Sequence, residues 1–184
     1  MINIIGDSHA FRLVECKTAR VYWLSVPSTA HNLFVHRDDI KTIIDQYPNE
    51  KWYFWYGDID CRIHIYLKQC QLGLDRPDSL IQETINRYVS FLTSLPYSVA
   101  VFAVPPEGFE ENIYGFEYYA DRQTRQEITD LFNEALRLKC SEESIEFVDL
   151  TPEFRYGLVE RECFEDDVHM RNDILIDCLT RYVK

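Results

Sequence analysis

A serine near the start of the chain and an Asp-x-x-His motif near its end are the residues best suited to chemistry. Ser8 follows a short apolar run, and Asp166 and His169 lie just before an amphipathic stretch that closes the chain. A serine hydroxyl is a weak nucleophile at neutral pH, so it needs a base within hydrogen-bond reach and a carboxylate that fixes the tautomer of that base. The pattern therefore predicts Ser8 as nucleophile, His169 as general base and Asp166 as the acid that orients it.

Each motif also has a simpler interpretation, because a serine or an Asp-x-x-His often does no more than cap a helix. Asp167 is the alternative acid and His9 the alternative base. Asp7 is expected to stabilise the turn by accepting backbone N–H bonds. Placement favours the catalytic interpretation: Ser8 follows the first strand-like run, the second motif precedes the last helix, and an open α/β sheet gathers its strand ends into one site.

The composition of the chain bounds its class and its partners. The chain has 184 residues, of which 46% are hydrophobic, so we expect a single domain over residues 1–184 with a full core. It carries 19 basic against 31 acidic residues, a formal charge of −12. This charge repels phosphate backbones and anionic lipid surfaces, so we predict neither a nucleic-acid partner nor a membrane partner.

The N-terminus and the cysteines favour a cytoplasmic protein. The chain enters a strand-like run at once, without the basic and apolar regions of a signal peptide, and no apolar run approaches the ~18 residues of a membrane span. The six cysteines form neither a Cys-x-x-Cys pair nor a cluster with zinc spacing, so we expect reduced thiols and no metal. They are Cys16, Cys61, Cys70, Cys140, Cys163 and Cys178.

Alternating patterns along the chain predict a doubly wound sheet, because strand-like runs that alternate with helical patterns are typical of parallel α/β folds. The predicted strands are residues 2–5, 21–25, 52–56, 98–104 and 145–150. The predicted helices lie within residues 38–47, 77–96, 128–138 and 172–183. Two long segments after the third and fourth strands, residues 57–76 and 105–119, are expected to overhang the site.

The motifs resemble those of the SGNH (GDSL-type) hydrolases. Gly-Asp-Ser at residues 6–8 and the Asp-x-x-His at residues 166–169 are similar to the catalytic motifs of that superfamily. Gly-Asp-Ile-Asp-Cys-Arg-Ile-His at residues 57–64 resembles the Gly-Glu-Ile-Asp-Cys-Arg-x-His signature of one bacterial branch, and Pro-Ser-Thr-Ala-His at residues 27–31 is also similar to it. The resemblance implies a flavodoxin-like three-layer α/β/α sandwich with a five-stranded parallel sheet in the order 2-1-3-4-5. It also implies the same Ser-His-Asp triad, with no metal or organic cofactor.

The resemblance also implies an incomplete oxyanion hole. In the family the donors are the N–H of the nucleophile, the N–H of a glycine after the second strand, and an asparagine side chain after the third. The matching positions here are Ser8, Val26 (or Ser25) and Ile59. Val26 keeps its backbone N–H, but the Ile59 side chain cannot donate a hydrogen bond, and loss of one donor typically lowers kcat by about 10²–10³.

Arg62 is the first candidate to replace the missing donor. Its alternative role is a salt bridge to Asp58 or Asp60 that holds the loop, and Asn32 is a second candidate donor. His64 is expected either to contact the substrate or to support the loop. The oxyanion and substrate-binding residues predicted in this way are Ser8, Val26, Ile59, Arg62 and His64.

The combined motifs predict a serine esterase that cleaves or transfers a small O-linked acyl group. Analogy with the family favours a saccharide or other small-molecule ester as substrate. The alternative is a non-catalytic or weakly active binding module for an acylated or glycosyl ligand, which Ile59 favours and the retained triad opposes. A general lipase or thioesterase is disfavoured because no long apolar lid is visible. An aromatic cluster in the second overhanging segment either lines a pocket or packs as a lid; its members are Phe109, Tyr114, Phe116, Tyr118 and Tyr119.

Overall fold

A five-stranded, all-parallel sheet forms the centre of the molecule in the computed structural model, which describes residues 1–24, 28–110, 119–150 and 159–183. The strand order is β2-β1-β3-β4-β5, as predicted. The strands are β1 (Ile2–Gly6), β2 (Ala19–Trp23), β3 (Trp52–Trp55), β4 (Val99–Phe102) and β5 (Glu146–Val148). The chain leaves β1 toward one edge and β3 toward the other, so a topological switch point lies between these two strands.

Helices cover both faces of this sheet, which confirms the predicted three-layer α/β/α sandwich. In the described residues the α-helices are α1 (Ser8–Phe11), α2 (Arg37–Ile44), α3 (Ile65–Leu72), α4 (Asp78–Thr93), α5 (Arg122–Glu142) and α6 (Asn172–Val183). Side chains of α1 and α6 share one hydrophobic cluster with the sheet, and side chains of α2, α3, α4 and α5 share a second. The two ends of the chain therefore meet on one face.

Burial explains why these segments adopt their structures. The central strand β3 reads Trp-Tyr-Phe-Trp, and all four side chains are buried because helices cover both of its faces. In α4 the buried residues recur at spacings of three and four, which makes one stripe against the sheet. They are Leu80, Ile81, Thr84, Ile85, Tyr88, Val89, Phe91 and Leu92.

The second strand begins and ends two residues earlier than predicted. It pairs with β1 over five residues, from Ile2 with Ala19 to Gly6 with Trp23. The prediction of residues 21–25 followed the more apolar stretch, but β2 is an edge strand whose side chains are half-buried or exposed. Pairing with β1 therefore sets its limits, rather than burial.

Residues 57–76, predicted as a long overhanging segment, are largely helical. A π-helical turn (Asp60–His64) runs directly into α3, which ends at Gly73 with a φ of +62°. Glycine adopts this left-handed conformation without strain, so it ends helices readily. Polar residues within the π-helical turn interrupt the apolar periodicity, which is why the sequence pattern does not predict a helix there.

In the second predicted overhang, residues 105–110 are described and have no regular secondary structure. Residues 111–118 lie outside the described part of the chain, and so do the predictions made for Tyr114, Phe116 and Tyr118. All six cysteines are free thiols, four of them buried. No helix in the described ranges is long and apolar enough to cross a membrane.

Candidate active site

The turn between β1 and α1 presents Ser8. Gly6 ends the strand, and a Cβ at this position would lie 2.7 Å from the carbonyl oxygen of Trp55, so only glycine allows β1 and α1 to approach β3 this closely. The Asp7 N–H donates to the same carbonyl (3.1 Å), and the Asp7 carboxylate accepts from the N–H of His9 (3.0 Å). Asp7 thus has the turn-stabilising role expected of it. Ser8 is the half-buried first residue of α1.

Asp166 and His169 are paired through a tight local turn. Asp166 Oδ1 accepts the N–H groups of Val168 (2.8 Å) and His169 (2.7 Å), and Oδ2 lies 2.9 Å from His169 Nδ1. Burial alone would raise the pKa of Asp166, but these hydrogen bonds and the His169 ring hold it below its ordinary value. Asp166 is therefore an ionised carboxylate at neutral pH, and it can fix the orientation of the ring.

The second nitrogen of His169 takes no part in the hydrogen bonds of the ring to Asp166. Its Nε2 is buried and has no hydrogen-bond partner among the described residues, so the Ser8 hydroxyl does not bond to it in this structure. His9, the residue after Ser8, packs against the same ring with centroids 5.0 Å apart. Hydrogen bonds between a base and its nucleophile are often loose without substrate, so the arrangement is compatible with general-base chemistry.

Arg12 connects α1 to the loop that carries His169. Its Nη2 donates to Asp166 Oδ2 (2.6 Å) and lies 3.0 Å from His169 Nδ1, and its Nη1 pairs with Glu165 (3.2 Å). Arg12 belongs to none of the motifs in the sequence. The available signal is its position on the helical turn that begins at Ser8, four residues after the serine.

His9, the alternative base, is 1% exposed and has no hydrogen-bond partner on either ring nitrogen within the described residues. Its Nδ1 lies 3.9 Å from both Asp7 and Asp58. Burial lowers the pKa of His9 to about 4 despite the nearby Asp58 carboxylate. A general base must become an imidazolium when it takes the proton. Burial disfavours that charged form of His9, so this environment does not favour His9 as the base.

Arg62 is engaged in ion pairs on both sides. Its Nη2 lies 3.2 Å from Asp58, and its Nη1 lies 3.1 Å from Glu110 in the segment after β4. Burial alone would lower the pKa of Arg62, but the two carboxylates raise it. Arg62 thus forms a salt bridge of the loop-holding kind, and it also joins the segments that follow β3 and β4.

Asp60 fixes the segment that follows β2. Its carboxylate accepts the N–H of Ala30 (2.7 Å) and more distantly that of His31 (3.4 Å), while Asn32 Oδ1 accepts the N–H of Thr29 (2.7 Å). Burial raises the pKa of Asp60 to about 7. Asn32 and Asp60 therefore both hold backbone through their side-chain oxygens.

Of the predicted oxyanion positions beyond Ser8, the one after β3 lies within the described residues. Ile59 is half-buried and directly precedes the π-helical turn. Val26 and Ser25 lie outside the described residues.

A cavity of about 200 Å³ lies between the segment after β2, the π-helical turn with α3, and α4. One histidine of each signature stretch, His31 and His64, lines it, together with Asn32, Lys68 and Glu83. His31 Nδ1 lies 3.1 Å from the Thr84 hydroxyl. Burial, followed by the nearby Lys68 ammonium, lowers the pKa of both His31 and His64, so both rings are mainly neutral at pH 7.

A buried ion pair supports the segment after β4, which packs against the His169 loop. No sequence motif predicts this pair. Glu107 pairs with Arg125 (3.2 Å), and both side chains are 1% exposed. Arg125 also donates to the carbonyl of Gly108 (3.2 Å). The next two residues, Phe109 (2.5 Å) and Glu110 (2.8 Å), donate their N–H groups to the Asp167 carbonyl.

Close packing makes this support specific. A Cβ at Gly108 would lie 2.8 Å from Val168 Cα, so glycine is needed where the segment after β4 meets the His169 loop. Burial, together with the Asp58 carboxylate, raises the pKa of Glu107 to about 7.

Across the described ranges, no group of three or more His, Cys, Asp or Glu residues is placed to hold a metal ion.

No family model matches the chain, and no curated protein matches it significantly in sequence. Its structure is similar to solved structures at 13% identity. An aryl esterase from M. smegmatis has a TM-score of 0.64 and covers 100% of this chain and 98% of its own. A GDSL-like lipase from Bacteroides thetaiotaomicron has a TM-score of 0.64, with coverages of 99% and 86%.

A carbohydrate acetylesterase from Sinorhizobium meliloti is similar with a TM-score of 0.56, covering 100% of this chain and 98% of its own. At this identity the likeness concerns the fold. The chain therefore has the fold of the SGNH (GDSL-type) hydrolases, the superfamily that its motifs resemble.

Proposed function

We propose that this chain is a serine esterase of the SGNH type, a single domain over residues 1–184, with Ser8 as nucleophile, His169 as base and Asp166 as orienting acid. The observation that carries the proposal is the His169 pairing: Asp166 Oδ2 lies 2.9 Å from Nδ1, and the buried Nε2 has no partner in the described part of the chain. The helix that begins at Ser8 packs against this ring through His9. Ester hydrolysis by proteins of the same fold adds support.

The proposed reaction follows the acyl-enzyme route. Ser8 Oγ attacks the ester carbonyl while His169 Nε2 takes its proton, and Asp166 stabilises the imidazolium. The tetrahedral intermediate breaks its C–O bond, and His169 returns the proton to the departing alkoxide. Water or another alcohol then attacks the acyl-serine by the same proton path, so hydrolysis and acyl transfer share one mechanism.

The oxyanion is held, in this proposal, by the N–H groups of Ser8 and Val26 alone. The Ile59 side chain has no donor, and the ion pairs of Arg62 with Asp58 and Glu110 support the loop-holding role for the Arg62 side chain. A hole with one donor fewer is slower by about 10²–10³. We therefore expect low turnover on simple esters.

The proposed substrate is an acyl ester of a saccharide. The cavity beside the π-helical turn is of a size for one small ring, and both polar residues such as Asn32 and Glu83 and apolar ones such as Leu80 line it, as the hydroxyls and the faces of a sugar ring require. An exposed aromatic pair supports the same class: Phe11 and Trp23 are 46% and 60% exposed, with ring centroids 5.3 Å apart. Trp23 stands beside Gly6 in the sheet register, at the strand ends where Ser8 begins α1.

A binding module for the same ligands is the second candidate. It is favoured by Ile59 and by the absence, in the described residues, of a hydrogen bond from Ser8 to His169 Nε2. It predicts ligand binding without turnover, whereas the esterase predicts both.

The test is hydrolysis of p-nitrophenyl acetate and of peracetylated methyl glucoside by the wild type and by Ser8→Ala. The esterase proposal expects Ser8-dependent release of acetate from both esters, with the sugar ester the better substrate in kcat/KM. Thr18→Ala is a matched control that removes a hydroxyl outside the site. Loss of activity in the control but not in Ser8→Ala, or no Ser8-dependent turnover at all, would contradict the proposal.

A further inference from the structure

Arg12, Asp166 and His169 form a close triangle of polar atoms. Arg12 Nη2 lies 2.6 Å from Asp166 Oδ2 and 3.0 Å from His169 Nδ1, and Asp166 Oδ2 lies 2.9 Å from the same Nδ1. The other Asp166 oxygen is already used by the two backbone N–H groups of its own turn. His169 Nδ1 lies within hydrogen-bond distance of both carboxylate oxygens, 3.1 Å from Oδ1 and 2.9 Å from Oδ2, and Oδ2 is the one that also accepts from Arg12.

The donor properties of arginine restrict this triangle. A guanidinium can only donate, so a hydrogen bond from Arg12 to Nδ1 needs Nδ1 without a proton. General-base chemistry needs the opposite tautomer, with the proton on Nδ1 and a lone pair on Nε2. In that tautomer Arg12 donates to Oδ2, the Nδ1–H of His169 has both Asp166 oxygens within reach, and the guanidinium charge opposes formation of the imidazolium.

The position of Arg12 gives the triangle a mechanical role as well. Arg12 lies four residues after Ser8, and its contacts reach 154 and 157 residues along the chain. The Arg12 side chain is 22% exposed and the Asp166 side chain 45%, so the pair is shielded from solvent on the arginine side only. It ties the helix of the nucleophile directly to the loop of the base and acid.

We propose that Arg12 is a positioning residue of the esterase: through Asp166 Oδ2 it fixes the Ser8 helix against the His169 loop, and it holds a positive charge beside Nδ1 of the base. The inference rests on the proposed function. Arg12 itself touches no reacting atom in this account, and it acts through Asp166 and the Nδ1 side of the ring.

Several other charged or titratable groups surround the His169 ring. On its own loop these are Glu165 and Asp167, with Arg161 donating to the Asp166 carbonyl (2.7 Å). From α1 and from the residues after β3 these are His9 and, behind it, Asp58. Arg12 is the cation among the described residues whose guanidinium has a hydrogen-bond-length contact with Nδ1.

The test compares Arg12→Gln and Arg12→Lys by the pH dependence of kcat/KM on p-nitrophenyl acetate. Arg12→Gln removes the charge, so the midpoint of the acidic limb should rise by about one pH unit. Loss of the tie should also lower kcat at the plateau by about tenfold. Arg12→Lys keeps the charge, so its midpoint should stay at the wild-type value while kcat falls.

Arg171→Gln is the matched control. Arg171 lies two residues after His169, outside the triangle, and pairs with Asp173 (2.5 Å). The midpoint of the acidic limb should therefore stay at the wild-type value in Arg171→Gln. A wild-type midpoint in Arg12→Gln, an equal shift in Arg12→Lys, or an equal shift in the control would overturn the inference.

A second readout separates this inference from the proposed function. The ring resonances of His169 can be titrated by NMR in Ser8→Ala with and without Arg12→Gln, so no turnover is needed. A rise of the titration midpoint by about one unit supports the role of Arg12 even if the wild type proves inactive. An unchanged midpoint overturns it even if the wild type is an esterase.

Discussion

Two separate single substitutions, Ile59→Asn and Arg62→Ala, test how the oxyanion is stabilised. If the hole simply lacks a donor, Ile59→Asn adds one beside the π-helical turn and should raise kcat by up to about 10²-fold, or roughly 3 kcal/mol of transition-state stabilisation. Ile59→Val is the matched control, since it changes shape without adding a donor, and it should leave kcat near the wild-type value.

The expected effect of Arg62→Ala follows from its contacts. The Arg62 side chain is 12% exposed and pairs with Asp58, which is 7% exposed, and with Glu110. Removing one partner of a buried ion pair destabilises a protein by about 3–5 kcal/mol. In a chain of this size that corresponds to a fall in Tm of roughly 10 °C.

The assay combines thermal unfolding with kcat on p-nitrophenyl acetate for all three variants. The account expects Arg62→Ala to lower Tm strongly and Ile59→Asn to raise kcat. If Arg62→Ala instead keeps its Tm but loses kcat about 10²-fold, and Ile59→Asn gains nothing, then Arg62 is the oxyanion donor and the loop-holding role is wrong.

Two further predictions concern the carboxylates. Asp166→Asn should lower kcat by about 10⁴, because the amide favours the wrong His169 tautomer. Combining Asp166→Asn with Ser8→Ala should add little to the loss in Ser8→Ala alone, and additive losses would contradict a shared mechanism. The pKa of Asp60 is raised to about 7 in the folded protein, so the folded state binds the proton more tightly than the unfolded state. Unfolding free energy should therefore fall as the pH rises from about 4 to about 7, and Asp60→Asn should flatten this slope in urea unfolding series; an unchanged slope would show that Asp60 is not its source.

The sequence predicts the strands and helices of the layers well because the relevant signals are local. Buried runs such as residues 52–55 are apolar throughout, and the stripe of α4 has helical spacing, so burial and periodicity agree. The turn at residues 6–8 is also local, since Asp7 caps the next residues of its own chain. The resemblance then supplies the order of the strands.

The errors arise where distant contacts decide the structure. The limits of β2 follow from pairing with β1, and the π-helical turn is stabilised partly by Asp60 and Arg62, which bind backbone and carboxylates elsewhere. Arg12 reaches residues more than 150 positions away. Glu107 and Arg125 form a buried pair between a loop and a helix, which no periodic pattern of either segment indicates.

The most direct test of the central claim is labelling with a fluorophosphonate probe, followed by mass-spectrometric mapping of the adduct. The account predicts one adduct, on Ser8, and strongly slowed labelling in His169→Ala, because the activated hydroxyl depends on that base. Labelling at another residue, or equal labelling of Ser8 with and without His169, would contradict the assignment of Ser8 and His169 as nucleophile and base.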